Sequence, residues 1–295
     1  MGAIDLHVHS CFSHDGEFAP AVLVSMAADA GLRVMCIADH NGVDAVEPAL
    51  EAGRAQGVLV IPGVELDCCF EDVPLHVLGY FIDHADPRFS VIHDNVERQE
   101  EAASDRRMDL LAALGFVFDR TAVRETAGGG VITPEFIAQA ALDHPANADD
   151  ARLAPYRRGG ARADNPFANF YWDYFAPGKA CHVPIDHISF AEAVSLIHAG
   201  GGVPVLAHPG VVLKGREDLL AVLAERGIAG VEAYSSYHNA GEREFWRRLG
   251  NELGLAVTCG SDFHGRVKPS IVLGGHAGDA HEEKGLADLL ARRGG

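Results

Sequence analysis

Residues 3–16 read AIDLHVHSCFSHDG and place His7, His9, His14 and Asp15 at the tip of the first apolar segment. In an extended strand, residues two apart share a face, so His7 and His9 project together. Groups of the same kind recur where later apolar runs end. CIADHN supplies Asp39 and His40, IPGVE supplies Glu65, and VLAHPG supplies His208. EAYSSYHN supplies His238, and TCGSDFHG supplies Asp262 and His264. LDCCFEDVPLHVLGY reads as a hairpin that returns His76 toward Glu65. Imidazole and carboxylate without thiolate suit Mn2+, Zn2+ or Fe2+. The candidates are too many for one ion with an open position. They suit two or three divalent ions sharing a carboxylate, with Glu65 and one aspartate as the natural bridges.

Strand tips can converge only if the strands run side by side. The runs AIDLHV, VMCIA, VLVIP, LHVLGYF, VPVLA, GVEAY and LAVTC are short and rich in Val, Ile and Leu, as buried strands are. Helical patterns separate most of them. PAVLVSMAADAG carries Pro near its start and Gly at its end, and Ser189 with Glu192 forms an S-x-x-E capping pattern. Alternating strand and helix predicts a parallel α/β architecture with its site at the strand C-termini. The alternation breaks over 92–180, where VIHDNVERQEEAASDRRMDLLAALG and TPEFIAQAAL read as helices. We expect residues 1–91 and 181–295 to form the α/β body and 92–180 a mostly helical insertion that caps it.

A chain of 295 residues suffices for one such body with an insertion. No apolar run reaches 18 residues, which predicts no membrane span. No basic-then-apolar leader opens the chain. The six cysteines form no C-x-x-C pair and are expected to be reduced thiols of a cytoplasmic protein. A net charge of −18 disfavours a stable nucleic-acid complex, although bound cations would reverse its sign locally.

In order along the chain, DLHVHSCFSHDG, IADHN, PGVE, HVLGYF, LAHPG and GSDFHG resemble the polymerase-and-histidinol-phosphatase (PHP) family of metal-dependent phosphoesterases. The similarity is greatest to the branch of nucleoside 3′,5′-bisphosphate phosphatases and a 5′-to-3′ exoribonuclease. The resemblance implies a distorted, TIM-like seven-stranded (β/α) barrel. It implies metal ligation by His7, His9, Asp15, His40, Glu65, His76, His208, Asp262 and His264. One ion would take His7, His9, Glu65 and Asp262, a second Glu65, His76 and His208, and a third Asp15, His40 and His264.

Two departures bear on the substrate. His14 lengthens the family's HSxxSDG loop, and the family's Arg-Pro-His stretch is replaced by a segment with Thr133 and Glu135 at the Arg and His positions. Arg157, Arg158, His14, His238 and Lys268 are the remaining candidates for holding substrate phosphate. The expected reaction is hydrolysis of a small phosphate monoester, such as a nucleotide, by metal-activated hydroxide, with Asp262 essential and His238 or His264 serving the leaving group. Exonuclease action on short oligonucleotides and amidohydrolase-type C–N hydrolysis are the alternatives.

Overall fold

The computed structural model describes residues 2–128, 130–278 and 280–294. The chain opens with β1 (Ile4–Val8), α1 (Pro20–Asp29), β2 (Val34–Ile37), α2 (Val46–Gln56) and β3 (Leu59–Val60). A hairpin of β4 (Gly63–Phe70) and β5 (Val73–Tyr80) follows. Then come α3 (Pro87–Ala113), α4 (Arg120–Thr126), α5 (Pro134–Asp143), two 3-10 turns and α6 (Pro166–Tyr174). The alternation returns with β6 (Ile188–Ser189), α7 (Phe190–Ala199), β7 (Val203–Leu206), α8 (Pro209–Val212) and α9 (Leu219–Glu225). It ends with β8 (Gly230–Ser235), α10 (Ala240–Glu252), β9 (Ala256–Gly260) and α11 (Glu282–Arg292).

The strands form two sheets, ordered β1-β2-β3 and β6-β4-β5-β7-β8-β9. The mixed α/β fold is as expected, and the two sheets do not close into one barrel. Only isolated bridges join the sheets, Val8 to Phe263 and His40 to Glu65. Both seams fall where the chain leaves a strand to build a loop, and Asn41 and Asp262 adopt positive φ beside them (57° each). A continuous ladder cannot follow backbone that turns away in this manner. The sheet is also not all parallel, because β5 runs antiparallel to both β4 and β7.

The third apolar run is shorter than its sequence suggests. β3 stops at Val60, and Glu65 lies inside β4 rather than at the end of β3. Pro62 cannot donate to a ladder. Gly63 passes Cys36 so closely that a Cβ there would overlap the sulfur. In the hairpin Asp67 faces His76 and Glu65 faces Leu78, with Glu71 in the turn at φ 53°.

Side chains from β1, β4, β5, β7, β8 and β9 fill one core, including Leu6, Leu66, Val77, Val205 and Val231, all fully buried. A separate cluster lies between α3, α5 and α6 around Met108, Phe116, Ile137, Phe170 and Phe175. It absorbs much of the aromatic segment NPFANFYWDYF, although Trp172 remains 45% exposed. Helix ends follow their sequence signals. Asp86 caps α3, Thr133 caps α5, and Ser189 with Glu192 closes a capping box on α7.

Candidate metal centre

β1, β2, β4, β5, β7 and β9 and the loops that follow them bring the nine expected donors into one cluster, buried except that Asp15, His40 and His76 are partly exposed. Three groups hold their ligand atoms close together: His7, His9, Glu65 and Asp262; Glu65, His76 and His208; and His9, Asp15, His40 and His264. His9 thus belongs to two groups. A further group, His40, Asp67 and His76, adds a carboxylate that the sequence reading did not single out.

In the first group the donor atoms converge on one point. The Nε2 atoms of His7 and His9 are 3.1 Å apart, and each lies within 3.3 Å of Glu65 Oε2 and Asp262 Oδ1. Such spacings match the edges of a tetrahedron of donors around a first-row ion with bonds of about 2.0–2.2 Å. Asp262 Oδ1 is buried and has no hydrogen bond among the described residues. The residues therefore fit a divalent ion. Glu65 turns its other oxygen, Oε1, toward His76 Nδ1 (3.0 Å) and His208 Nε2 (3.1 Å). One carboxylate thus serves two groups.

The rings are held from behind, which fixes the nitrogen each presents. His7 Nδ1 lies 3.0 Å from Glu232 Oε1, and the other Glu232 oxygen accepts the His208 backbone N–H. His264 Nδ1 lies 2.9 Å from the Asp262 carbonyl, leaving Nε2 to face Asp15 at 3.0 Å. His40 Nδ1 lies 3.0 Å from Asp67, whose second oxygen accepts from Asn41. Local backbone strain marks the same places, with His208 at φ 24° and Asp262 at φ 57°.

Charge is distributed accordingly. Burial opposes ionisation of Glu65, but His7, His40 and His76 outweigh it and hold the carboxyl well below its usual range. Burial likewise opposes the charged form of His7, yet Glu65, Glu232 and Asp262 raise it well above the ordinary value. Lys268 Nζ reaches Asp262 Oδ2 at 2.8 Å and His264 Nε2 at 3.3 Å. The Tyr237 hydroxyl donates to the same Asp262 oxygen.

The candidate substrate contacts are spread more widely. Lys268 is in the cluster. His14 stacks on His93 of α3, ring centroids 6.3 Å apart, at the seam between the first loop and the insertion. His238 is buried with Nδ1 toward the Ala233 carbonyl (2.8 Å) and Nε2 accepting from Gly210 N–H (3.0 Å). Its ring therefore braces the turn after His208. Arg157 donates to the carbonyls of Asn147 and Ala148, and Arg158 is exposed. Arg162 pairs with Asp173. The buried insertion arginine, Arg107, pairs with Glu100.

Glu135 occupies a different setting. Burial, and then the charge of Asp15, push its carboxyl up to about 7, against the pull of Lys268. It sits at the start of α5, whose neighbour Phe136 lies 5.5 Å beneath the Arg266 guanidinium. In sequence Glu135 is marked only by standing where the family has a histidine. Glu232 and Asp67 were open to discovery, since a carboxylate in an apolar strand requires a buried partner.

A second group, Cys259, His276 and Glu282, lies by the start of β1. Its polar atoms are spent on backbone. His276 Nδ1 accepts from Gly278 N–H and Nε2 faces the Ile4 carbonyl, while Glu282 accepts from the N–H groups of Ala3 and Ile4. It clasps the chain start to α11.

Comparison with known proteins agrees with this geometry. Residues 5–115 match the family model of the PHP domain. Over those residues the chain resembles the PHP family. Over 264 residues it is 28% identical to phosphoribosyl 1,2-cyclic phosphate 1,2-diphosphodiesterase of Eggerthella lenta, covering 89% of this chain and 94% of that one. It is 28% identical to the 3′,5′-nucleoside bisphosphate phosphatase of Chromobacterium violaceum, covering 90% and 88%. It is 27% identical to the 5′-3′ exoribonuclease Rnm of Escherichia coli, covering 88% and 84%. Among solved structures, a candidate metal-dependent phosphoesterase of Bifidobacterium adolescentis superposes with a TM-score of 0.77 at 25% identity, covering 99% and 96%. An amidohydrolase structure from Chromobacterium violaceum shares the fold, with a TM-score of 0.75 at 24% identity over 89% and 88%. Several of these relatives are named as enzymes that act on phosphate esters, and no helix among the described residues is long and apolar enough to cross a membrane.

Proposed function

We propose that this protein hydrolyses a small phosphate monoester with divalent ions held by His7, His9, Asp15, His40, Glu65, His76, His208, Asp262 and His264. The observation that carries the reading is Glu65, with its two oxygens turned to two separate donor groups. Such a bridge belongs to a multi-ion centre, which phosphoester chemistry uses. When bound, the ions supply positive charge to the phosphate oxygens and bring the pKa of a water toward neutrality. Around them we read the two sheets as approximating the frame of a distorted (β/α) barrel.

The remaining steps fall to side chains of this chain. Lys268 stands against Asp262 and offsets negative charge as the phosphate enters. His7 and His40 are held by Glu232 and Asp67 and cannot swing away. Both nitrogens of His238 face backbone groups, so this ring holds the turn after His208 in place and is not free to serve the leaving group. Residues 92–180 act as the cap. Their docking on the β9 loop supports this, with Asn165 Oδ1 accepting from Ser270 N–H at 3.0 Å and from its hydroxyl at 2.9 Å.

A phosphate-release screen on Mn2+-loaded protein tests the proposal. It should include nucleoside 3′,5′-bisphosphates, monophosphates, sugar phosphates, cyclic phosphates and short RNA, with an amide set as the contrasting arm. Metal-dependent release from a monoester is expected. Hydrolysis of amides alone would overturn the proposal.

A further inference from the structure

Beside the metal cluster lies a cavity of about 290 Å3 at the seam of cap and body. Asp164 and Asn165 contribute from the cap, Ser236 and Tyr237 from the loop after β8, and Ser270 and Ile271 from the loop after β9. Tyr237 is the shared wall. It lines the cavity, and its hydroxyl donates to Asp262 of the first donor group. A phosphate on the ions would therefore stand about one side chain from this space.

Three observations define what the cavity can hold. Among its lining residues no Lys, Arg or His occurs, and the single charge is that of Asp164. A second phosphate there would meet a carboxylate and no cation. The Ser236 hydroxyl is buried and has no hydrogen-bond partner among the described residues. Leaving such a group unmatched is unfavourable, and a ligand hydroxyl would match it once the Ser236 side chain turns toward the cavity. The volume lies at the small end of the range of about 300–1,000 Å3 typical of ligand pockets.

We infer that this cavity seats the leaving group and that the leaving group is a small, uncharged polyhydroxyl of sugar size. Ser236, Ser270 and Asn165 are its hydrogen-bonding residues, and Tyr237 and Ile271 give it an apolar side. The inference rests on the phosphoesterase reading for the position of the phosphate, but the pocket can be tested without it.

Two measurements suffice. In the first, saturation-transfer NMR with methyl ribofuranoside and methyl glucoside, with no phosphate present, reads the cavity alone. Signal is expected with the wild type and is expected to vanish in Ser236→Leu, which fills the space. In the second, Mn2+-loaded enzyme is given ribose 5-phosphate, glucose 6-phosphate, glycerol 3-phosphate, phenyl phosphate and a nucleoside 3′,5′-bisphosphate. At least one polyol ester should exceed phenyl phosphate about tenfold in kcat/KM. Ser236→Leu and the rim variant Ser270→Leu should erase that advantage through KM. If no glycoside binds and phenyl phosphate or the bisphosphate is the best substrate, the inference is overturned while the phosphoesterase reading stands. If a glycoside binds but no ester is hydrolysed, the cavity stands and the phosphoesterase reading falls.

Discussion

Glu232 Oε1 lies 3.0 Å from Nδ1 of His7, with both side chains fully buried, while the opposite nitrogen of the ring faces the donor cluster. A carboxylate behind a ligating imidazole fixes its tautomer and raises its basicity. Glu232→Gln should weaken metal affinity about 10–100-fold while keeping the fold. Competition against a chromogenic chelator measures this, and unchanged affinity would remove Glu232 from the centre.

Asp262 is held by Lys268 and Tyr237 on one oxygen and faces His7 and His9 with the other. Asp262→Ala should lower bound metal per chain and reduce kcat by at least about 10²-fold, since several kcal/mol of charge stabilisation are lost. Elemental analysis alongside turnover checks both effects. Wild-type rates at full occupancy would contradict the ligand assignment.

Glu135 has a carboxyl raised to about 7 from an ordinary 4.5. Between those values the folded chain holds more protons at this site than the unfolded chain, so stability falls as pH rises through that window. Metal-free Glu135→Gln should lack this loss and gain on the wild type by up to about 3 kcal/mol by pH 8. Urea unfolding at several pH values reads the difference. Parallel curves for the two proteins would show that Glu135 titrates normally.

Arg157 spends its guanidinium on the carbonyls of Asn147 and Ala148. Arg157→Ala should therefore cost about 1 kcal/mol of stability and leave KM within twofold. A tenfold rise in KM would mean that the arginine leaves those carbonyls to meet substrate.

Gly260 ends β9 where a Cβ would overlap His7 and Glu232. Gly260→Ala should destabilise by about 1–3 kcal/mol through overpacking and should loosen the ion held by His7. Thermal melting with and without Mn2+ would show a smaller metal-induced shift than in the wild type.

What the sequence disclosed follows from strand geometry. His7 and His9 are two apart, so a period of two placed them on one face without knowledge of the fold. The same rule applies to Glu65 and Asp67, and it could have added Asp67 to the site. Glu232 was harder to see. Its strand, GVEAYS, is buried along its length, and only the need of an interior carboxylate for a partner marks it. Sheet closure was not legible, because it depends on backbone turns at Asn41 and Asp262 that L-residues seldom adopt. The raised carboxyl of Glu135 was hidden for another reason. Burial, and then the charge of Asp15, push it up, and both are set only in the folded chain.

The two sheets touch at Val8–Phe263 and His40–Glu65, and each seam lies within one residue of a candidate metal ligand or includes one. An ion seated there would act as a rivet across a joint that only short pairs of backbone hydrogen bonds span. Emptying the site should therefore let the joint breathe, with faster amide exchange and easier proteolytic nicking along both seams. Metal supply would then govern the working life of the protein as well as its turnover.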